Sequence, residues 1–457
     1  LWSCLAGAMK VLPFDFQVNV TKPFWSRPAF RPTPERPRDF WRYQPDFLIT
    51  LLNQAILIVV AVMTFFLARR LFDAAVGWMS FVLIIGCEVL WRFSITGLST
   101  LFLMLVFLSL IWCLVWIENE ERDPVWSHRA QTWLALAIGL LLGIGMLTRY
   151  SFGWLVIPVL VYLGIFCVLR RWLVITLVLG VFLAVISPWL WRNIAVSGTP
   201  FGVAGYALVD GTFGLPEYRL QRTLTPDFSS VNLMSLIYKL SGNVRQILQE
   251  GLPRLGGSWV GALFLTGLLL SFRSLALRRL RYFVLAALFV LVIVQALGKT
   301  QLSVDSPDFN SENLIVLFVP LVFIYGAGLF FQLLEQMNLK MRELRYLVIG
   351  VFAIIVNLPI AFALLSPSVR PINYPPYYPP AIQEVAGYLK PSELMMSDIP
   401  WAVAWYGHRQ AVWVTANADS DAVRFDGLAK GMRVSTIAAA TIIASPSQYG
   451  VECARLA

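Results

Sequence analysis

The sequence predicts a mainly α-helical, polytopic membrane protein with a small α/β domain at its C-terminal end. Of its 457 residues, 58% are hydrophobic and 14% are charged, and the mean hydropathy is +0.70. Soluble domains carry about 25% charged residues, which excludes a water-exposed globule. Apolar runs of membrane-spanning length recur between residues 47 and 366. From residue 367 onward, short strand and helix patterns replace them.

Residues 1–46 contain no continuous apolar span. Basic residues and prolines alternate there, and aromatic residues such as Trp25 and Trp41 suit the headgroup layer of a membrane. We therefore expect an irregular loop on the membrane surface. The chain starts at Leu1 rather than at a methionine, and we expect it to be a fragment.

Ten apolar runs are predicted to cross the membrane as helices. Their length is close to the roughly 20 residues that a bilayer requires. The approximate bounds are 47–68, 74–92, 99–117, 131–147, 152–169, 172–191, 257–272, 281–298, 313–334 and 345–366. Residues 47–366 are therefore expected to form the transmembrane domain.

Basic residues alternate between the connections of these runs. The basic connections contain Arg69 and Arg70, Arg122 and Arg129, Arg170 and Arg171, Arg273, Arg278 and Arg279, and Lys340 and Arg342. Because basic residues favour the cytoplasmic side, these connections are predicted to be cytoplasmic. The remaining connections are predicted to face outward together with residues 1–46 and 367–457. They are 92–98, 148–151, 193–256 and 299–312.

The longest polar interval, residues 193–256, follows the sixth run. That run leads into Ser187-Pro188-Trp189-Leu190-Trp191-Arg192-Asn193, where Pro188 is predicted to kink or end the helix. Arg192 would then lie at the outward bilayer edge, and Arg149 ends an earlier run on the same side. A planar guanidinium suits a phosphate, so we expect both arginines to face one outward cavity. Anchoring by snorkelling is the rival explanation.

Within the long interval, residues 231–249 place apolar side chains at helical spacing, with Lys239 and Arg245 off the apolar face. This pattern predicts a helix that lies on the membrane plane. A helix packed on the protein itself fits equally well. Inside the second run, Glu88 lies four residues before Arg92, and the spacing predicts an ion pair.

Beyond residue 367 the pattern indicates a small α/β domain outside the membrane. A proline- and tyrosine-rich stretch, 371–380, forms a stiff exit from the last span. Residues 381–389 are predicted to be helical. Buried strands are predicted at Met395–Asp398, Ala411–Val414 and Thr441–Ala444.

Acids and arginines at the outward face are the expected catalytic and substrate-binding residues. No nucleotide-binding or metalloprotease motif is present, and His128 and His408 are predicted to be exposed surface residues. The net charge of +10 comes from short basic loops, so nucleic acid is not an expected partner. An acid can take the proton of an acceptor hydroxyl, and arginines can stabilise a phosphate leaving group. Each charge taken alone is more often a solvated loop residue.

The segment Ser187–Asn193 at the end of the sixth run, followed by Gly198-Thr199-Pro200-Phe201, resembles a segment of bacterial polytopic glycosyltransferases of the GT-C type. This group includes family 39, the protein O-mannosyltransferases and the aminoarabinose transferases. Leu147-Thr148-Arg149-Tyr150 is similar to a second segment, with Tyr150 where the family has proline. Leu67-Ala68-Arg69-Arg70-Leu71-Phe72 is similar to the first cytoplasmic hairpin. The run from Ser397 to Gly407 is similar to the outer domain of some members.

The resemblance implies a GT-C helical bundle that transfers a sugar from a polyprenyl-phosphate carrier to a lipid, glycan or protein acceptor. Transfer would occur at the outward face of the bacterial inner membrane. The family's catalytic acid lies early in the first outward loop, which puts it before Leu1 and leaves Asp15 and Asp39 as substitutes. Substrate-binding residues would be Arg149, Tyr150, Arg192 and Asn193. No metal ligand is identified, and a divalent metal is left open.

Two other classes compete with this interpretation. A polytopic transporter or lipid flippase would also show many spans and basic inner loops. Transporters usually carry helices broken at mid-membrane and an internal repeat, and the sequence shows neither pattern. A non-catalytic membrane scaffold subunit is favoured by the missing acid.

Overall fold

The computed structural model describes residues 15–21, 40–122, 128–167, 170–212, 215, 228–229, 231–256, 259–270, 274–299, 310–337, 341–365, 379–390, 393–397, 399–414 and 437–439. The chain forms two compact units. The larger contains Asn53–Glu217 and Ser229–Pro371, and the smaller contains Leu1–Leu52, Tyr218–Phe228 and Ile372–Ala457. The predicted class of a mainly helical, polytopic membrane protein is confirmed.

The larger unit is a bundle of apolar helices. In chain order the helices are α1 (Gln44–Leu71), α2 (Ala74–Ile85), α3 (Glu88–Ser94), α4 (Thr100–Arg122), α5 (His128–Thr148), α6 (Val156–Phe166), α7 (Arg171–Ser197), α8 (Leu233–Gln246), α9 (Val260–Leu269), α10 (Leu275–Gly298), α11 (Val319–Gln336) and α12 (Arg342–Leu365). Tyr150–Leu155, Gly202–Leu208 and Ile315–Phe318 are short 3-10 segments, and Ile247–Gly251 is a π-helical turn. Helix α1 starts in the smaller unit.

Seven helices are long and apolar enough to cross a membrane in the described part of the chain, or eight if the bent pair α2 and α3 counts as one span. They coincide with eight of the ten predicted runs. The run at 152–169 is a 3-10 segment continued by α6, together 17 residues. The run at 257–272 is wrong as a complete helix, because α9 has 10 residues and is about 15 Å long.

Irregular backbone explains the short α9. The turn before it already lies inside the bundle, where Gly256 packs against Phe323 and its carbonyl oxygen accepts a hydrogen bond from the Cys87 thiol. Non-helical backbone is tolerated at membrane depth only where protein surrounds it. Gly256 ends the polar interval predicted at 193–256, so this end of the interval packs inside the bundle and not on its surface.

The second predicted run is broken between α2 and α3, which meet at a bend of 55°. At the break, the Asn357 carboxamide fills the space that a side chain at Gly86 would occupy. The Trp91 indole donates to the carbonyl oxygen of Ile85 at 2.6 Å, which satisfies a carbonyl at the end of α2. The predicted pair of Arg92 and Glu88 is confirmed at 2.7 Å. The expectation that no span is broken, which was held against a transporter, is therefore wrong for this run, and neighbouring side chains occupy the break.

The connections of each predicted side meet at one end of the bundle. Hydrogen bonds at the end predicted to face outward join Asn53 to Thr96, Arg149 to Thr100, and Asn243 to Ala296. At the opposite end, Arg281 donates to the carbonyl oxygen of Leu270, and the Tyr282 ring stacks on Phe166. The alternating assignment of the connections is consistent with this geometry.

Helix α11 occupies the centre of the larger unit. In its most apolar stretch, 89% of the residues are buried inside the protein. The same share is 22% for α7 and 11% for α12. Peripheral helices therefore present apolar surface such as Leu183 and Ile354, which is expected for side chains that face lipid.

The smaller unit contains two sheets. Strands β1 (Asn19–Thr21) and β2 (Phe40–Arg42) pair antiparallel. Helix α13 (Pro379–Gly387), β3 (Leu394–Ser397), α14 (Pro400–Tyr406), β4 (Ala411–Trp413) and β5 (Ile437–Ala439) follow. The three later strands form a parallel sheet of order β4-β3-β5.

The predicted helix and the first two C-terminal strands match this sheet. The third strand of the sheet lies at Ile437–Ala439, and the predicted strand Thr441–Ala444 lies outside the described residues. A small core holds the described part of the unit together. It comprises Tyr43, Ile382, Met395, Ala402, Val403 and Tyr406.

Candidate functional site

The candidate site begins where α5 ends. The backbone leaves the helix at Arg149 in an extended conformation, while its N–H still donates to the carbonyl oxygen of Gly145. A 3-10 segment then folds back, because the fully buried Phe152 ring packs directly on Gly145. This packing determines where the Arg149 side chain leaves the helix end.

The Arg149 guanidinium is poorly satisfied by the protein. Its Nη2 donates to Thr100 Oγ1 over 3.4 Å, and its Nη1 is buried without a hydrogen-bond partner among the described residues. Burial lowers the pKa of Arg149 to about 10, and the charge of Glu312 opposes that shift. The side chain therefore stays cationic at neutral pH and retains donor capacity for an anionic ligand.

Glu312 also acts on two lysines at this end of the bundle. Its charge raises the pKa of Lys239 and of Lys299 against the larger, lowering effect of burial. Lys299 donates to Gln246 Oε1. Among the opposing charges, Asp210 has a larger effect than Glu312 on the pKa of Lys239, and Glu250 has a larger effect on the pKa of Lys299.

Lys239 fastens the outward loop to α8. Its Nζ donates to the carbonyl oxygens of Ala207, Leu208 and Asp210, at the end of the 3-10 segment Gly202–Leu208. Burial lowers its pKa to about 8. Lys239 lies off the apolar face of α8, as predicted, but it is buried there, because three carbonyl groups offset the desolvation of its ammonium group. Leu233 and Ile237 of the same helix are exposed, as a helix on the membrane plane requires.

Helix α7 continues through Pro188 to Ser197, and Gly198, at φ +72°, ends it. Pro188 was predicted to kink or end the helix, and of these two alternatives the end of the helix is wrong. Proline removes the N–H that would reach the Ala184 carbonyl, and Ser187 Oγ donates to that carbonyl at 3.3 Å instead. The continued helix extends Arg192 beyond the proline, where it is exposed.

Tyr150 joins this helix end to the Arg149 segment. Its hydroxyl oxygen accepts hydrogen bonds from Trp189 Nε1 at 2.7 Å and from Asn193 Nδ2 at 2.9 Å. Asn193 Nδ2 also donates to the carbonyl oxygen of Pro200. The Arg192 guanidinium lies over the Trp189 ring at 4.9 Å. The two predicted segments are thus adjacent, while a single cavity shared by Arg149 and Arg192 stays a prediction.

The predicted acids are less constrained. Asp15 is exposed, and its carboxylate accepts from the Gln17 N–H and from Asn19 Nδ2. Asp39 lies outside the described residues. In the part of the chain that the structure describes, no group of three His, Cys, Asp or Glu side chains could hold a metal ion. A catalytic role for Asp15 or Asp39 stays a prediction.

Sequence reasoning missed three contributors to this end of the bundle. Thr100 carries no signal, since it is one hydroxyl in an apolar run. Glu312 lies in the connection 299–312, but its effect on the pKa of three basic residues depends on the fold. The sequence showed Lys239 only as a charged residue of an amphipathic helix and gave no sign of the carbonyl groups that it contacts.

Residues 44–191 match the sequence family described as dolichyl-phosphate-mannose-protein mannosyltransferase. The resemblance to polytopic glycosyltransferases is therefore confirmed over that segment. No curated protein matches the chain.

Three matches among solved structures have TM-scores below 0.5. The chain is 12% identical to the oligosaccharyltransferase of Archaeoglobus fulgidus at a TM-score of 0.46, covering 81% of this chain and 51% of that one, and so spans about half its length. It is 14% identical to apo ArnT from Cupriavidus metallidurans at a TM-score of 0.49, covering 85% of this chain and 76% of that one. For the same ArnT bound to undecaprenyl phosphate, the identity is 13% and the TM-score is 0.46, covering 87% of this chain and 76% of that one.

Proposed function

We propose that this chain, which matches the mannosyltransferase family over residues 44–191, is a membrane glycosyltransferase with a polyprenyl-phosphate-linked sugar donor. The acceptor would be a lipid, a glycan or a protein. Transfer would take place at the outward face of a bacterial inner membrane. The observation that carries this proposal is the incompletely paired guanidinium of Arg149 at the end of α5.

A buried donor without a partner is destabilising by about 1–3 kcal/mol, and more when the group is charged. A phosphate oxygen would satisfy Arg149 Nη1 with a charge-assisted hydrogen bond. Arg149 lies inside the family-matched segment and at the end of the bundle where connections of the outward set meet. These facts favour an anionic ligand at this position.

A lipid-linked donor suits the surfaces around this end. Helix α7 is apolar and mostly unburied, so a polyprenyl tail can lie beside it. Its end carries Trp189 and the exposed Arg192, which suit the interface where a lipid phosphate lies. The sequence contains none of the glycine-rich nucleotide motifs, which favours a lipid-linked over a nucleotide-linked donor.

The proposed reaction is an inverting transfer. The acceptor oxygen attacks the anomeric carbon while a carboxylate of the first outward loop takes its proton. The bond between the anomeric carbon and the phosphate oxygen breaks, and the polyprenyl phosphate leaves with the electron pair. The arginines would stabilise the charge on that phosphate. The carboxylate would be Asp15 or Asp39.

Substitution of Arg149 tests the donor site. In lipid nanodiscs, Arg149→Gln should weaken binding of undecaprenyl phosphate at least tenfold, because a hydrogen bond to a charged group contributes about 1.5–3 kcal/mol. Native mass spectrometry or a fluorescence titration would measure the Kd. Arg129→Gln is the matched control, since Arg129 is exposed at the opposite end of the same helix.

An unchanged Kd in Arg149→Gln would remove Arg149 from the donor site. In a transfer assay, a sugar moved from a nucleotide donor without any lipid carrier would contradict the proposed function. Movement of the intact donor across the bilayer without transfer would indicate a transporter instead.

The proposed orientation predicts that residues 193–256 and 367–457 share the outward side. In a cysteine-free background, Ser229→Cys and Ser420→Cys should both react with an impermeant maleimide in intact cells. Ser420 lies outside the described residues. Ser274→Cys, in a connection predicted to be cytoplasmic, should react only after permeabilisation. Labelling of only one of the first two positions would overturn the orientation.

A further inference from the structure

A carboxylate at the start of α1 is held by the C-terminal helix α14. Asp46 lies in the first turn of α1, and its two oxygens accept hydrogen bonds from Trp405 Nε1 at 2.8 Å and from the Tyr406 hydroxyl at 2.6 Å. One residue before α1, the Tyr43 hydroxyl donates to the carbonyl oxygen of Trp405 at 3.1 Å. Two side chains from the end of the first outward loop thus hold the same short helix.

Aromatic rings pack around these hydrogen bonds. Tyr43 is 2% exposed, and its ring lies 5.0 Å from Tyr406 and 6.1 Å from Trp405. His408 follows α14 at φ +50°, a left-handed conformation that is uncommon without glycine, and its Nε2 lies 3.4 Å from the Tyr43 hydroxyl. Such a conformation persists only where surrounding contacts impose it.

An earlier part of the same loop is held by α13. Gln383 Oε1 accepts from the Val18 N–H at 2.7 Å, and Gln383 Nε2 donates to the carbonyl oxygen of Phe16 at 2.8 Å. Strands β1 and β2 pair between the two attachment points. The C-terminal domain therefore contacts both described segments of the loop, 15–21 and 40–46.

From these contacts we infer that the C-terminal domain is a clamp that fixes the first outward loop, and that Asp46 is its positioning residue. Both Asp46 oxygens are engaged by donors of α14, so this carboxylate holds structure and does not serve as the base. Charge-assisted hydrogen bonds are roughly twice as strong as neutral ones, which makes Asp46 the strongest single contact of the clamp. That the clamp orients a catalytic acid rests on the proposed function.

Hydrogen exchange of the full-length protein in nanodiscs tests the clamp without any substrate. Asp46→Asn should increase exchange in peptides that cover 15–21 and 400–406 about tenfold, the effect of losing about 1.4 kcal/mol of local stability. Tyr406→Phe should increase it several-fold. Tyr388→Phe is the matched control, because its hydroxyl makes an exposed contact with Glu384 in the same domain. Peptides of α5 should be unchanged in all variants.

Normal exchange in both Asp46→Asn and Tyr406→Phe would overturn the clamp, as would equal acceleration by Tyr388→Phe. The role in positioning is tested by transfer kinetics. Asp46→Asn should lower kcat severalfold and leave the Kd for undecaprenyl phosphate unchanged. Faster exchange with normal kcat would overturn the positioning role. A wild-type protein without transfer activity would contradict the proposed function, while the exchange result would still decide whether the clamp exists.

Discussion

Replacing Arg192 by alanine should lower kcat for sugar transfer by about 100-fold, the effect of losing one stabilising contact of the oxyanion-hole kind. The guanidinium lies on the Trp189 ring at the exposed end of α7. In the proposed reaction, charge develops on the lipid phosphate as the glycosidic bond breaks. If Arg192 contacts that phosphate, it would bind the transition state more strongly than the ground state and would affect kcat.

Arg192→Lys should recover only part of the activity, because an ammonium group retains the charge but loses the planar fork of donors. Arg171→Ala is the matched control at the opposite, exposed end of the same helix. Single-turnover kinetics with a polyprenyl-phosphate sugar would separate chemistry from binding. Normal turnover in Arg192→Ala would show that this arginine does not stabilise the leaving group.

Gly145→Ala should destabilise the protein by about 1–3 kcal/mol, the usual effect of overpacking a core. A Cβ at position 145 would lie 2.1 Å from the Phe152 ring, which is fully buried and has no open space to enter. The N–H of Phe152 donates to the carbonyl oxygen of Arg149. Movement of the ring would therefore displace Arg149, and we expect weaker donor binding in the same variant.

Gly180→Ala provides the comparison, since nothing lies within 4 Å of a Cβ at that position in α7. A glycine in a helix is less stable than alanine by about 0.5–1 kcal/mol, so this change should be neutral or stabilising. The midpoint of thermal unfolding in detergent measures both variants. Equal midpoints for Gly145→Ala and the wild type would mean that Phe152 packing tolerates a methyl group.

Much of the fold could be predicted because lipid selects helices by hydropathy and length alone. The same reason explains the misses. The break at Gly86 lies inside a continuous apolar run, and only the Asn357 contact shows why the helix bends there. The turn before α9 contains Pro253 and Arg254 and lay outside the predicted run, so the sequence did not indicate that Gly256 packs inside the bundle. Helix α7 continues past Pro188, and Ser187 donates a hydrogen bond to the carbonyl oxygen that the proline leaves without its usual donor. No periodicity in the sequence reveals this bond.

The sequence indicated which candidate residues end apolar runs but not which groups they contact. Arg149 and Arg192 each follow or end an apolar run, which placed them near the predicted bilayer edge. Tyr150 was predicted to bind substrate, but the fold uses its hydroxyl to join Trp189 and Asn193. The clamp through Asp46 depends on residues about 360 positions apart in sequence, which local patterns cannot relate.

The contrast between α11 and α12 bears on how this sequence can vary. Side chains of α11 are enclosed by protein, so a substitution there affects stability through its shape as well as its polarity. Most side chains of α12 meet a fluid solvent that has no fixed shape, so leucine, isoleucine, valine and phenylalanine are nearly interchangeable. Two helices of similar composition should therefore diverge at different rates among relatives. Residues such as Asn357, where α12 meets the bend in the bundle, should be the exceptions to its tolerance.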